Sequence, residues 1–186
     1  MAAHDPAPAL ARRVREERSG RGWSLDDLAR RAGVSRAMIS KIERQEASPT
    51  AAVLGRLSGA FGLSISSLLA ESGGDARRLL RRADQPVWVD PATGYIRRSV
   101  SPSLGAPLEL IEVRLPPRGR IPFPASAYRF LHQQIWMISG RLRFYEGDSV
   151  HDLRAGDCLQ LGPPQDCAYE NVSAKPCRYL VALIAR

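Results

Sequence analysis

Apolar residues recur at helical spacing along the first 70 positions of the chain, with helix-capping residues at regular intervals. After about residue 86 the pattern changes. Apolar and polar residues then alternate in short runs broken by proline and glycine, as in half-buried strands. A first helix is predicted from Asp5 with Pro6 or Pro8 to about Ser19-Gly20, with Leu10 and Val14 inward. Ser24, paired with Asp27 in a capping-box pattern, opens a second over Leu25 to Ala32, and Gly33 ends it. Ser35 caps a third over Arg36 to Gln45. Pro49 and Thr50 start a fourth that ends near Gly62, and Ser64 opens a fifth over Ile65 to Ala70.

Strands are predicted over Val87–Val89, Tyr95–Val100, Leu108–Leu115, Ala127–Leu131, Gln134–Ser139, Leu142–Tyr145, Ser149–Leu153, Cys158–Leu161, Cys167–Glu170 and Arg178–Ile184. Their number and spacing predict a sandwich or a small barrel. Between the halves, Ser72-Gly73-Gly74 breaks the last helix, and Asp75 to Ala83 is compatible with a short helix before Pro86. The expected fold class is therefore α+β in two domains: helical residues 1–70, a linker over 71–85, and an all-β domain over 86–186.

The stretch SLDDLARRAGVSRAMISKIERQ meets the demands of two helices crossing steeply over a tight turn. Ala29 is small where the helices touch, Gly33 allows the positive φ of the turn, and Val34 plugs the junction. Leu28, Ile39 and Ile42 supply a shared core. A plain helical bundle with a tight turn needs fewer of these at once. Placing Ile39 and Ile42 inward leaves Arg36, Ala37, Ser40, Lys41 and Arg44 on an outer face of small and cationic side chains, with acids only at Glu43 and Glu46 near its end. Such a face suits entry into the major groove of DNA, where short residues permit close approach and Arg, Lys or Ser meet base edges and phosphates. Base readout is expected at Arg36, Ala37 and Ser40, with Lys41 and Arg44 nearer the backbone. Ser35, at a helix N-terminus, and Ser24 complete the predicted DNA contacts.

Composition agrees with an anionic partner but does not select one. The 186 residues carry 27 basic and 19 acidic side chains, a net charge of +8, which also fits a solvated arginine-rich surface. Cys158, Cys167 and Cys177 are an odd number without CxxC spacing, so neither a disulfide framework nor a zinc ribbon is expected, and a reducing cytoplasm fits. The N-terminus lacks the apolar stretch of a signal peptide. The longest apolar run, Tyr179 to Ala185, is far too short to cross a membrane.

Residues 9 to 70 resemble the helix-turn-helix domain of the Xre/Cro/C1 family, the class of phage repressors. The block GVSRAMISKIERQEASPT is similar to that family's core motif. Two positions depart from it: Leu25 stands where the family often has a phosphate-contacting Gln, and Gln45 stands where Gly is usual. The second half, clearest in IWMISGRLRFYEGDSVHDLRAGDCLQLGPPQDCAYENVSAKPCRYLVAL, resembles a cupin, a double-stranded β-helix barrel. The two together imply a cytoplasmic regulator that binds a double-stranded DNA operator as a homodimer.

Metal-dependent cupins hold their ion with His and Glu residues. Counted from Gly140, the Glu position here is Gln133, one His position is Cys167, and the segment Ser126 to Arg129 offers no His. No metal, cofactor or catalytic set is therefore expected. His132 should turn outward beside an inward Gln133, and Cys167 reads as a buried thiol. The inward positions predicted to line a ligand pocket are Arg129, Gln133, Ile135, Met137, Cys167 and Tyr169. An inward Arg129 would call for a carboxylate ligand, and an outward one would simply face solvent. Three functions follow: a regulator whose cupin senses a small-molecule effector, a DNA-binding protein whose cupin only dimerises, and a metal-dependent cupin enzyme fused to a DNA-binding domain. The first fits best.

Overall fold

A computed structural model describes residues 7–70, 78–102 and 107–185. Five helices come first: α1 (Ala7–Gly20), α2 (Leu25–Ala32), α3 (Arg36–Glu43), α4 (Ala51–Phe61) and α5 (Ile65–Leu69). Each start after α1 has the predicted cap. Side chains of Ser24, Ser35, Thr50 and Ser64 accept the backbone N–H three residues on. The predicted start of α1 at Asp5 and Pro6 lies outside the described residues, while Leu10 and Val14 are buried as expected.

The third helix ends two residues earlier than predicted. Gln45 adopts φ 62°, a left-handed conformation that ends the helix and favours glycine. Of the segment between the halves, 71–77 lie outside the described residues. The predicted helix over Asp75 to Ala83 is not continued in 78–81, and one 3-10 turn follows at Arg82–Asp84.

Ten strands follow: β1 (Val87–Val89), β2 (Ile96–Ser99), β3 (Leu108–Leu115), β4 (Arg120–Phe123), β5 (Leu131–Ser139), β6 (Arg141–Glu146), β7 (Ser149–Arg154), β8 (Cys158–Gln160), β9 (Cys167–Glu170) and β10 (Cys177–Ala185). One sheet has the order β1-β2-β3-β10-β5-β8 and the other β4-β9-β6-β7, with every pairing antiparallel. The two sheets face each other over a shared apolar interior, as an all-β domain.

Two strand assignments change. The predicted strand over Ala127–Leu131 is instead a 3-10 turn at Ala125–Ala127 followed by a tight bend, in which Leu131 N–H donates to Tyr128 C=O at 3.1 Å. The strand β4 escaped prediction because Pro122 interrupts it. Among the described residues it pairs only with β9, and an edge strand tolerates proline, which cannot donate to a ladder.

The two halves share one continuous apolar core, from Leu10 of α1 to Leu183 of β10. Helix α4 lies against β4 and the 3-10 turn because two of its positions are glycine. A Cβ on Gly55 would come within 2.5 Å of the Phe123 ring, and one on Gly59 within 2.9 Å of the Ser126 backbone. Polar contacts seal the junction. The buried Asp90 accepts Ala51 N–H at 3.1 Å, placing a carboxylate at the N-terminus of α4. Glu109 of β3 accepts the Ser64 hydroxyl at 2.7 Å at the start of α5.

Candidate functional site

Helices α2 and α3 meet over Gly33, which has φ 62° and caps α2. Leu28, Val34, Ile39 and Ile42 are buried between them, and Ala29 packs at their edge. A bidentate ion pair locks this unit to α1: Arg18 Nε and Nη2 donate to the Glu43 carboxylate at 2.6 and 2.9 Å, while Nη1 donates to Trp23 C=O at 2.8 Å. Glu43 thus faces inward, its side chain only 7% exposed. This corrects the sequence expectation, which left Glu43 on the outer face. That face is more cationic than predicted, because its first acid belongs to the scaffold.

The outer face presents Ser35, Arg36, Ala37, Lys41 and Arg44 exposed, with Ser40 half-buried. Ser35 Oγ accepts Met38 N–H at 3.2 Å, leaving its own proton to give. Arg36 approaches Asp26 at 3.6 Å, both well exposed, a contact of little energetic weight. Arg44 is clamped. Its Nε and Nη2 donate to Glu46 at 2.6 and 2.8 Å, and Nη1 donates to Ser40 Oγ at 2.6 Å. The hydrogen bond from Arg44 holds the Glu46 carboxyl below its usual range. Ser24 is committed to its own capping box: both its N–H and its hydroxyl donate to Asp27 Oδ2, at 3.0 and 2.6 Å. It has little left for a phosphate.

Inside the barrel, β5 alternates as predicted. Gln133, Ile135 and Met137 point inward, and His132 and Trp136 outward. A cavity of about 40 Å³ opens where the barrel meets α4 and α5. Gln133 and Tyr169 line it and touch each other, the amide Nε2 donating to the phenol oxygen at 2.6 Å. Ile135 and Met137 are buried in the core but do not line this space, and Cys167 faces a smaller recess at the barrel mouth. Arg129 is exposed and lines neither. Alternation fails for it because its segment is a turn, not a strand, so Tyr128 is buried and Arg129 faces out.

The comparisons with known proteins agree with this geometry. Residues 14–68 match the helix-turn-helix family HTH_3. The helical region is an HTH_3 domain. Over 61 residues it is 39% identical to the HTH-type transcriptional regulator SutR of Escherichia coli (strain K12), a match covering 33% of this chain and 34% of SutR. Over 63 residues it is 33% identical to the HTH-type transcriptional regulator SinR of Bacillus subtilis (strain 168), covering 33% of this chain and 57% of SinR. The chain thus matches about a third of one relative's length and somewhat over half of the other's. An HTH_3 family transcriptional regulator from Vibrio cholerae shares the fold along 97% of both chains, with a TM-score of 0.78 and 23% identity. The joining of an HTH_3 domain to a β domain is therefore a shared architecture.

The residues at the cupin metal positions do not suit a divalent ion. Gln133 offers only a neutral amide oxygen where a carboxylate would supply charge, and its Nε2 donates to Tyr169. Burial, helped by the charges of Glu146 and Asp166, pushes the Cys167 thiol up to about 12, so it stays protonated at neutral pH. A neutral amide and a protonated thiol are poor ligands. No group of three His, Cys, Asp or Glu side chains with metal-binding geometry occurs among the described residues. No described helix is long and apolar enough to cross a membrane. What sequence reading missed is Arg97 of β2, which is buried against the HTH_3 domain and lines the cavity. Its place in IRRS carries no signal, since Arg98 beside it has the same charge and lies less deeply buried.

Proposed function

We propose that this protein is a sequence-specific, DNA-binding transcriptional regulator that acts as a homodimer, with a cupin domain that senses a small molecule. The observation that carries this function is the outer face of α3. Arg36, Ala37 and Lys41 stand exposed beside Ser35 and Ser40, while the only nearby acid on the helix is turned inward onto Arg18. Ala37 permits close approach to the groove, Arg36 and Ser40 meet base edges, and Ser35, Lys41 and Arg44 meet phosphates. A dimer places two such helices in successive major grooves, about 34 Å apart along the operator.

In vitro selection of bound sequences from random duplex DNA, followed by titration, tests this. The selected site should be a near-palindrome. Arg36→Ala should lose about 1–3 kcal/mol at one base pair and relax specificity there, whereas Lys41→Ala should weaken all sequences alike and lower the salt slope by about one. Failure to enrich any sequence, or Arg36→Ala and Lys41→Ala both leaving affinity unchanged, overturns the assignment of the DNA-binding face. Sedimentation equilibrium checks the dimer, and a monomer at micromolar concentration counts against it.

A further inference from the structure

The cavity between the halves has two unlike walls. Ser58 of α4 and Ile65 of α5 form one, and Tyr95, Arg97, Gln133 and Tyr179 form much of the other. Arg97 is only 6% exposed. Its Nη2 donates to Ser66 Oγ of α5 at 3.0 Å, but its Nε is buried without a hydrogen-bond partner among the described residues. Ser66 is neutral, and no carboxylate pairs with Arg97 among the described residues. A guanidinium keeps its proton when buried, so the cost of removing its charge from water stands until an anion arrives.

The space defines the anion. About 40 Å³ holds a group of roughly three to five non-hydrogen atoms. The flat fork of a guanidinium matches a carboxylate, and Val181 and Leu183 on the cavity wall suit a short hydrocarbon end. The neighbouring phenols offer neutral contacts. Burial holds Tyr179 and Tyr128 well above the ordinary phenol range, so neither competes as a negative charge.

We propose that this interdomain cavity binds a small monocarboxylate, with the carboxylate on Arg97 and the short apolar end against Val181 and Leu183. Because Arg97 also holds Ser66, the bound anion sits at the seam between the HTH_3 domain and the barrel and steadies α5. The proposal gives a ligand class and a place to the sensor function above and rests on that reading for its regulatory use.

The test uses the full-length protein and sodium propionate, with sodium chloride at matched ionic strength as the blank. Calorimetric titration should give saturable binding. It should weaken at least about tenfold in Arg97→Gln and remain unchanged in the surface control Arg129→Gln. Propionate should also slow hydrogen exchange of the α5 amides in the unmutated protein. A measurement without substitution guards against misfolding of Arg97→Gln: ¹³C-labelled propionate should show NOEs to the ring protons of Tyr95 and Tyr179. Absence of saturable binding and of these NOEs with propionate, acetate and lactate overturns the site, as does equal affinity in Arg97→Gln. Binding of inorganic phosphate with none of the carboxylates overturns the ligand class. Unchanged exchange in α5 overturns the interdomain link. DNA binding is measured separately without carboxylate. Saturable propionate binding by a protein that fails to bind DNA without carboxylate would sink the regulator function and leave the site standing, and DNA binding without any carboxylate binding would sink the site alone.

Discussion

Arg44 and Gln45 show how a single side chain or dihedral tunes the outer face of α3. Arg44 is held by Glu46 and Ser40 in an exposed clamp, so a phosphate must displace Glu46 to reach it. Exposed pairs of this kind are weak and screened by salt. Glu46→Gln should therefore raise DNA affinity about two- to fivefold at low salt, and the gain should vanish at high salt, as read by fluorescence anisotropy. Gln45 has φ 62°, where a side chain is strained and glycine is not. Gln45→Gly should stabilise the fold by about 1 kcal/mol in urea denaturation. The substituent at this position was legible in the sequence, as a departure from the family pattern. Its left-handed backbone was not, because a non-glycine residue gives no local signal for positive φ. The inward turn of Glu43 is hidden for a related reason: its partner Arg18 lies 25 residues away, and helical periodicity alone does not reveal such a pair.

At the scale of elements, α2 carries its own pH dependence. Hydrogen bonds from Ser24, side chain first and backbone second, hold the Asp27 carboxyl below its ordinary 3.8. The folded state thus favours the ionised form. The capping box contributes stability above the unfolded value near 3.8, and this is lost as pH falls through the lower folded value. The stability advantage of the unmutated protein over Asp27→Asn, measured by chemical denaturation, should be greatest near pH 7 and shrink below about pH 4. Helix α4 reverses the usual rule for glycine. In an exposed helix Gly→Ala stabilises by about 1 kcal/mol. Here a Cβ at Gly59 would meet the Ser126 backbone carbon at 2.9 Å. Gly59→Ala should instead destabilise by about 1–3 kcal/mol and lower Tm by several degrees in calorimetry. The caps of α2 to α5 were readable because each is a local hydrogen bond. The strand β4 was not, because Pro122 hides a strand that only an edge position permits.

Across the whole molecule, the apolar core runs unbroken from α1 to β10, and Asp90 and Glu109 of the barrel engage the N-termini of α4 and α5. Helical and β halves held in this way should unfold together. Differential scanning calorimetry should show a single transition with calorimetric and van't Hoff enthalpies equal. Two resolved transitions would mean that the junction contributes little. Sequence patterning finds the two halves but treats the segment between them as a linker. It has no means of seeing that glycines in one half are the contact surface for an aromatic ring and a turn in the other.

The sequence by itself determined the local and periodic features: five helices with caps on α2 to α5, the crossing of α2 and α3, the alternation along β5, and a small cationic face on α3. Each follows from side chains a few residues apart. Only the tertiary structure decided which arginine is buried. Arg129 sits in a turn and faces solvent, while Arg97 is enclosed by β2 and α5 and reaches Ser66 across 31 residues of chain. Burial of a charge is set by what the rest of the fold packs around it, and no pattern within IRRS or YRF encodes that surrounding.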